Sequence, residues 1–310
     1  MNTLTVTPVR EDISFGARVG GVTPETVQDD VVRKEINEIF ERYGLLIFED
    51  MEPTPKMQVA LSNVFGPLKD HPSQAVARAG GDDMLGVIEM RHDPGEEGSV
   101  SLDGVALSQW LPWHFDHCYN NELNRAGVLR AVEVPPEGGR TGFVDGIALY
   151  QAISPAVREQ IEGATVIYAM DVILDNLRYG RPDGLVEVEA PTSATDVMAE
   201  YAGRPRALHP AVWTRRTGEK VLHVSPWMAK GVEGRSDADG DALLMTVCAE
   251  IVEKANDLCY FHTWKPSDMV IWDNWRCLHS VSGTPPQYTR CMHRTTIAGD
   301  YGLGRFEQPA

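Results

Sequence analysis

The residues with the most chemical potential in this chain are histidines, one aspartate and a late pair of arginines. His114-Phe115-Asp116 is an H-x-D. On a β-strand, side chains two apart share a face, so one imidazole and one carboxylate there would be able to share a metal ion. With nine histidines and 45 acidic residues, one such pair is expected by chance, and on the motif alone an edge strand facing solvent is the favoured explanation. Further on, W-D-N-W-R-C-L-H ends at His279, and Arg290 and Arg294 follow in T-R-C-M-H-R-T-T. Arg290, Met292 and Arg294 alternate as one face of a strand does. Two inward arginines need an anion, whereas two outward ones need only solvent. Other chemistries lack their motifs. The chain has no G-x-S-x-G elbow, no phosphate-binding glycine loop and no C-x-x-C pair.

Those side chains need a scaffold to bring them together. Early in the chain, Thr23-Pro24-Glu25 reads as a helix start, and helical spacing over 31–43 stops at Gly44. The apolar run 45–48 suits a buried strand, and 56–65 reads as a helix stopped by Gly66-Pro67. From about residue 84 the texture changes to short strands, among them 127–134, 141–145, 220–224, 269–272 and 290–298. Helices are expected near 147–161 and 242–256. The stretch 175–205 is rich in Gly, Pro, Asp and Glu and reads as a mobile insertion or lid. The whole is expected to be one domain over 1–310, mainly β with flanking helices.

Composition narrows the partners. The formal net charge of −17 argues against nucleic acid, which needs a basic face. No run is long and apolar enough to cross a membrane, and no signal-peptide core is visible. Five scattered cysteines read as reduced thiols in a cytoplasm.

Several motifs in order give the resemblance. Besides W-H-F-D at 113–116 and the distal His279 and Arg294, there are F-G-P-L-K-D-H-P at 65–72, G-G-R-T-G-F-V-D at 138–145, His209-Pro210, and W-x-P-x-D at 264–268. Over about residues 5–300 the sequence resembles the taurine dioxygenase and 2,4-dichlorophenoxyacetate dioxygenase family, whose members are Fe(II)- and 2-oxoglutarate-dependent oxygenases. It departs in one place: Trp275 follows Asn274, and the usual arginine comes a residue later as Arg276.

The resemblance implies a double-stranded β-helix (jelly roll, cupin-like) with helices on one side. It implies His114, Asp116 and His279 as iron ligands, a set that leaves room for 2-oxoglutarate and O2. It implies Arg294 and Thr141 on the distal carboxylate of 2-oxoglutarate and Arg290 near its keto-acid end. His71 and Trp113 occupy the places that meet the substrate, which would be a small organic anion such as a sulfonate or an aryloxy or alkyl carboxylate. Gln74, Leu111 and Tyr119 lie near enough in sequence to line the same pocket. An intact Asp116 favours oxygenation or desaturation over halogenation. Dimers or tetramers would be in keeping with the family. Two other classes stay open: a zinc-dependent isomerase or hydrolase on a β-barrel, and a non-catalytic binder of 2-oxoglutarate. The arginine pair with Thr141 has no evident use in hydrolysis, and the complete ligand set argues against a mere binder.

Overall fold

The computed structural model describes residues 4–79 and 86–308. The described residues are mostly β, with six α-helices among them: Asp30–Tyr43 (α1), Pro55–Phe65 (α2), Gly146–Ala152 (α3), Pro155–Ile161 (α4), Thr192–Tyr201 (α5) and Asp237–Leu258 (α6). Among the described residues no helix is long and apolar enough to cross a membrane.

Two sheets carry the site. The first runs, in spatial order, Thr5–Pro8, Ala17–Gly20, Leu45–Phe48, Met269–Asp273, Ala126–Glu133, Arg290–Ile297 and Leu68–Lys69, with Val87–His92 also on Arg290–Ile297. The second runs Leu185–Glu189, Ser99–Leu102, Val105–His114, Cys277–Thr284, Thr141–Asp145 and Tyr260–His262. Their inner faces meet, for Phe143 of the second sheet lies 5.6 Å from Trp272 of the first, ring to ring.

The apolar runs are continuous because the strands are covered on both faces. In Leu45–Phe48, Leu45 and Ile47 pack inward with Leu129, Val270 and Trp272. Leu46 and Phe48 pack outward against Ile36 and Phe40 of α1 and Met57 and Leu61 of α2. In the second sheet Phe143 faces inward, while Val144 and Leu278 face α3, α4 and α6.

Local signals set most boundaries. Gly44 ends α1 with a left-handed φ of 70°, which a residue with a Cβ adopts only at a cost. The helix begins one short turn later than expected. Thr23 starts only the 3-10 turn Thr26–Gln28, and the cap of α1 is Asp29, whose carboxylate accepts from Val31 and Val32 N–H. The stretch 147–161 is two helices, not one, because Ser154 caps α4 and Pro155 occupies its first turn. The segment 175–205 holds a strand, Leu185–Glu189, on the edge of the second sheet, followed by α5.

Candidate metal centre and its pocket

His114 closes its strand, and His279 sits directly opposite on the neighbouring strand. Cross-strand partners bring the two rings to 4.0 Å. Asp116 lies two residues past the end of the His114 strand, in a turn, so strand alternation does not place it. Asn274 does. Its Oδ1 accepts from Asp116 N–H at 2.8 Å, and its Nδ2 donates to the Asp116 carbonyl at 3.1 Å. The same Nδ2 reaches the carbonyl and the Oδ1 of Asn124. His223 supports this arrangement by donating Nε2–H to the Asn274 carbonyl at 2.9 Å and stacking on Phe115 at 3.8 Å.

The donor set fits a metal ion. The ligand atoms of His114, Asp116 and His279 all lie within 4.8 Å of one another, and all three residues are buried. His114 Nδ1 donates to the Pro112 carbonyl at 2.7 Å, which leaves Nε2 with a free lone pair. His279 Nε2 stands 3.7 Å from an Asp116 oxygen, and its Nδ1 is buried without a partner. Burial keeps both imidazoles neutral by lowering their pKa values, with His114 adding to the effect at His279. Burial alone would raise the Asp116 carboxyl, but the Arg294 guanidinium on both its oxygens outweighs burial and holds it below the usual range. Two neutral imidazoles and one carboxylate on one side are the ligands of a facial iron site.

Arg294 grips both Asp116 oxygens, at 3.0 and 2.6 Å. It passes over Trp272, where Gly127 makes room: a Cβ there would stand 3.1 Å from Arg294 Nε. Arg290 is also buried, but it points elsewhere. Its Nε donates to the Gly139 carbonyl at 3.2 Å and its Nη1 to Gln109 at 3.1 Å. Burial lowers its pKa to about 10. Thr141, two residues beyond Gly139, accepts from Trp264 Nε1 at 3.0 Å and keeps its own hydroxyl proton to give. Arg276 turns to Asp145 in a buried two-pronged pair at 2.9 and 2.7 Å and also donates to the Arg42 carbonyl.

A cavity of about 410 Å³ opens beside His114, Asp116 and Arg294. His71, Leu111 and Tyr119 line it as expected, and Gln74 does not. Gln74 N–H and Ser73 Oγ bind Glu200 of α5 instead, tying that helix to the turn after His71. Trp113 is not on the cavity wall. It neighbours His114 on the strand, so it projects to the opposite face and packs on Phe261 at 5.9 Å. The aromatic wall comes from Trp110 and Trp227, the latter edge-on to His114 at 5.0 Å. The 175–205 stretch supplies Glu187, Glu189, Pro191, Ala194 and Val197. His209 bonds the carbonyls of Cys118 and Asn120, a local supporting role.

Glu89, Cys291 and His293 form a second cluster of metal-capable groups. Arg130 donates to His293 Nδ1 at 2.9 Å, so the ring proton sits on Nε2, facing Glu89 at 3.3 Å. A nitrogen that carries a proton has no lone pair for a metal, and the cluster is held as a hydrogen-bonded network.

Comparison with known proteins agrees with this geometry. Residues 5–296 match the family described as "Taurine catabolism dioxygenase TauD, TfdA family". An (S)-phenoxypropionate/alpha-ketoglutarate-dioxygenase of Sphingobium herbicidovorans is 28% identical over 297 residues, covering 93% of each chain. A pentalenolactone F synthase of Streptomyces arenae is 27% identical, covering 99% of each chain. The fold matches a taurine dioxygenase structure from Burkholderia xenovorans with a TM-score of 0.70 at 20% identity, over 99% of this chain and 97% of that one. It also matches the structure of AAD-2 in complex with Mn(II) and N-oxalylglycine, with a TM-score of 0.69 at 21% identity, over 96% and 98%. The chain belongs to the TauD/TfdA dioxygenase family.

Proposed function

We propose that the protein is an Fe(II)- and 2-oxoglutarate-dependent dioxygenase that hydroxylates an organic anion and releases succinate and CO2. The observation that carries this reading is the buried His114, Asp116 and His279 set, with Arg294 locked on its carboxylate. Iron held by His114, Asp116 and His279 would activate O2, the oxidant, while oxidative decarboxylation of the keto acid to succinate and CO2 would supply two of the electrons. The chain's residues supply position, charge and dryness.

The placement of the arginines supports a division of labour opposite to the one the resemblance implied. Arg294 touches a metal ligand, so it stands where the keto-acid carboxylate would lie. Arg290 and Thr141 flank the Gly139 turn, away from the ligands, and suit the distal carboxylate. Arg290 offers a guanidinium fork, and Thr141 offers a hydroxyl whose acceptor side is already taken by Trp264. Trp272 and Phe143, both buried, pack on His279 and keep that side free of water.

In our reading the two sheets form a double-stranded β-helix, 1–310 is one domain, and 175–205 is an insertion that walls the substrate pocket. Five free, buried thiols suit a reducing cytoplasm.

The test is spectroscopic. Anaerobic addition of Fe(II) and 2-oxoglutarate to the apoprotein gives a weak visible charge-transfer band, which His114→Ala removes. Iron-loaded protein without the band would refute the cosubstrate assignment and favour non-redox metal chemistry.

A further inference from the structure

Gln109 belongs to two parts of the site at once. It lines the cavity of about 410 Å³, and its Oε1 accepts from Arg290 Nη1 at 3.1 Å. It lies inside the strand Val105–His114, yet its backbone is left-handed, with φ 52°. A residue with a Cβ seldom adopts that conformation, and inside a strand it breaks the alternation of faces. With alternation broken, three consecutive residues, Gln109, Trp110 and Leu111, all border the cavity. Strain of this kind persists only where the surroundings hold it. The opposite strand accommodates the kink with Gly283, which falls between the paired residues Ser282–Trp110 and Thr284–Ser108 and is itself left-handed, φ 79°. The Gly283 carbonyl accepts from Gly139 N–H at 2.7 Å, and the Gly139 carbonyl accepts in turn from Arg290 Nε. The kink therefore reaches Arg290 twice, directly through Gln109 and indirectly through Gly283 and Gly139.

What holds Arg290 matters as much as that it is held. Arg290 is buried, and both of these bonds end on uncharged oxygens. They fix the plane of the guanidinium without compensating its charge, and N–H groups of Nη1 and Nη2 are left to give. A glutamate at this position has the same shape but would itself pair with the guanidinium. A methionine matches the length but cannot orient the fork. Only the amide carbonyl of glutamine both aims the fork and spares its charge for an incoming carboxylate.

We propose that Gln109 is a positioning residue for the cosubstrate: it aims the Arg290 fork at the distal carboxylate while leaving the charge of that fork free, and so makes the site select a dicarboxylic keto acid over a monocarboxylic one. This rests on the oxygenase reading above and on the distal role given there to Arg290.

The test uses the full-length protein, anaerobic and loaded with Fe(II). It is titrated with 2-oxoglutarate and with 2-oxopentanoate, which carries a methyl group in place of the distal carboxylate, while the visible charge-transfer band is recorded. The unmodified protein binds 2-oxoglutarate more tightly. Gln109→Met weakens 2-oxoglutarate about tenfold and Gln109→Glu about a hundredfold, and both variants bind 2-oxopentanoate as the unmodified protein does. In an Arg290→Met background, Gln109→Met has no further effect on 2-oxoglutarate, because its route to the cosubstrate is gone. Three results would overturn the proposal: unchanged 2-oxoglutarate affinity in Gln109→Met, a Gln109→Glu variant that binds no worse than Gln109→Met, or equal weakening of both acids. The last would make Gln109 a support of the strand that carries His114. Equal affinities in the unmodified protein, with the band present, would overturn the proposal through the role given to Arg290. Absence of the band with either acid refutes the oxygenase reading itself, and the proposal with it.

Discussion

Asn274 holds the one proposed metal ligand that no strand positions, so its replacement should show what that support contributes. Its side chain is fully buried and makes four hydrogen bonds, to the N–H and carbonyl of Asp116 and to two oxygens of Asn124. Asn274→Ala leaves at least two buried backbone groups unpaired, at about 1–3 kcal/mol each, so the apoprotein should lose about 3–5 kcal/mol. Asn274→Asp tests the reasoning more sharply. It is isosteric and keeps the bond from Asp116 N–H, but it replaces a donor with an oxygen facing three other oxygens at 3.1–3.2 Å. It should destabilise at least as much as alanine despite its perfect fit. Urea unfolding of the apoprotein, followed by tryptophan fluorescence, measures this directly. Anaerobic Mn(II) titration should also show metal affinity lowered about 10–100-fold in both variants, as expected when a ligand's support is lost. If Asn274→Asp unfolds within about 1 kcal/mol of the unmodified protein, the polarity of this network does not hold the turn, and the account of Asp116 placement fails.

Two further outcomes follow from the same geometry. Arg290→Met should raise the KM for 2-oxoglutarate about 30–100-fold with little loss of kcat, because a charge-assisted clamp on the distal carboxylate is removed; a normal KM in that variant would return the distal role to Arg294. Stability should fall as pH drops from 7 to 5. Burial lowers His209 to about 4 and His223 to about 3, whereas the unfolded chain takes up these protons near 6.5. Below 6.5 the unfolded state therefore binds more protons than the folded one, and each histidine contributes about 2 kcal/mol of loss by pH 5. Thermal melts across that range check the slope, and His223→Gln should flatten it.

What the sequence made legible depends on how local each signal is. Helix α1 and its stop at Gly44, and the strand Leu45–Phe48, are written in spacing and in one glycine. The break between α3 and α4 is also local, in Ser154-Pro155, and a reading of apolar spacing alone passes over it. The proposed metal ligands were legible only through the family resemblance, and the strand spacing that put His114 and Asp116 on one face does not apply, because Asp116 lies in a turn past the strand's end. Asp116 depends on Asn274, 158 residues away, a pairing that no spacing rule reveals. The resemblance put Trp113 on the substrate wall, but a residue next to His114 on a strand projects its ring to the other side of the sheet. The division of work proposed for Arg290 and Arg294 likewise rests on which of the two reaches Asp116, which spacing does not reveal.

The origin of the pocket wall bears on how such an enzyme changes over evolutionary time. The proposed metal ligands come from two central strands and the turn that follows one of them, while Leu185–Glu189 and α5 supply part of the cavity wall. Mutations accumulating in that peripheral stretch can remodel what enters while the oxidative machinery is inherited intact. Glu200 adds a constraint on this drift. By accepting from Ser73 and Gln74 it couples α5 to the turn that carries His71. A lineage that reshapes α5 therefore shifts the turn that carries His71 as well, so these two stretches of the cavity wall evolve as one heritable unit.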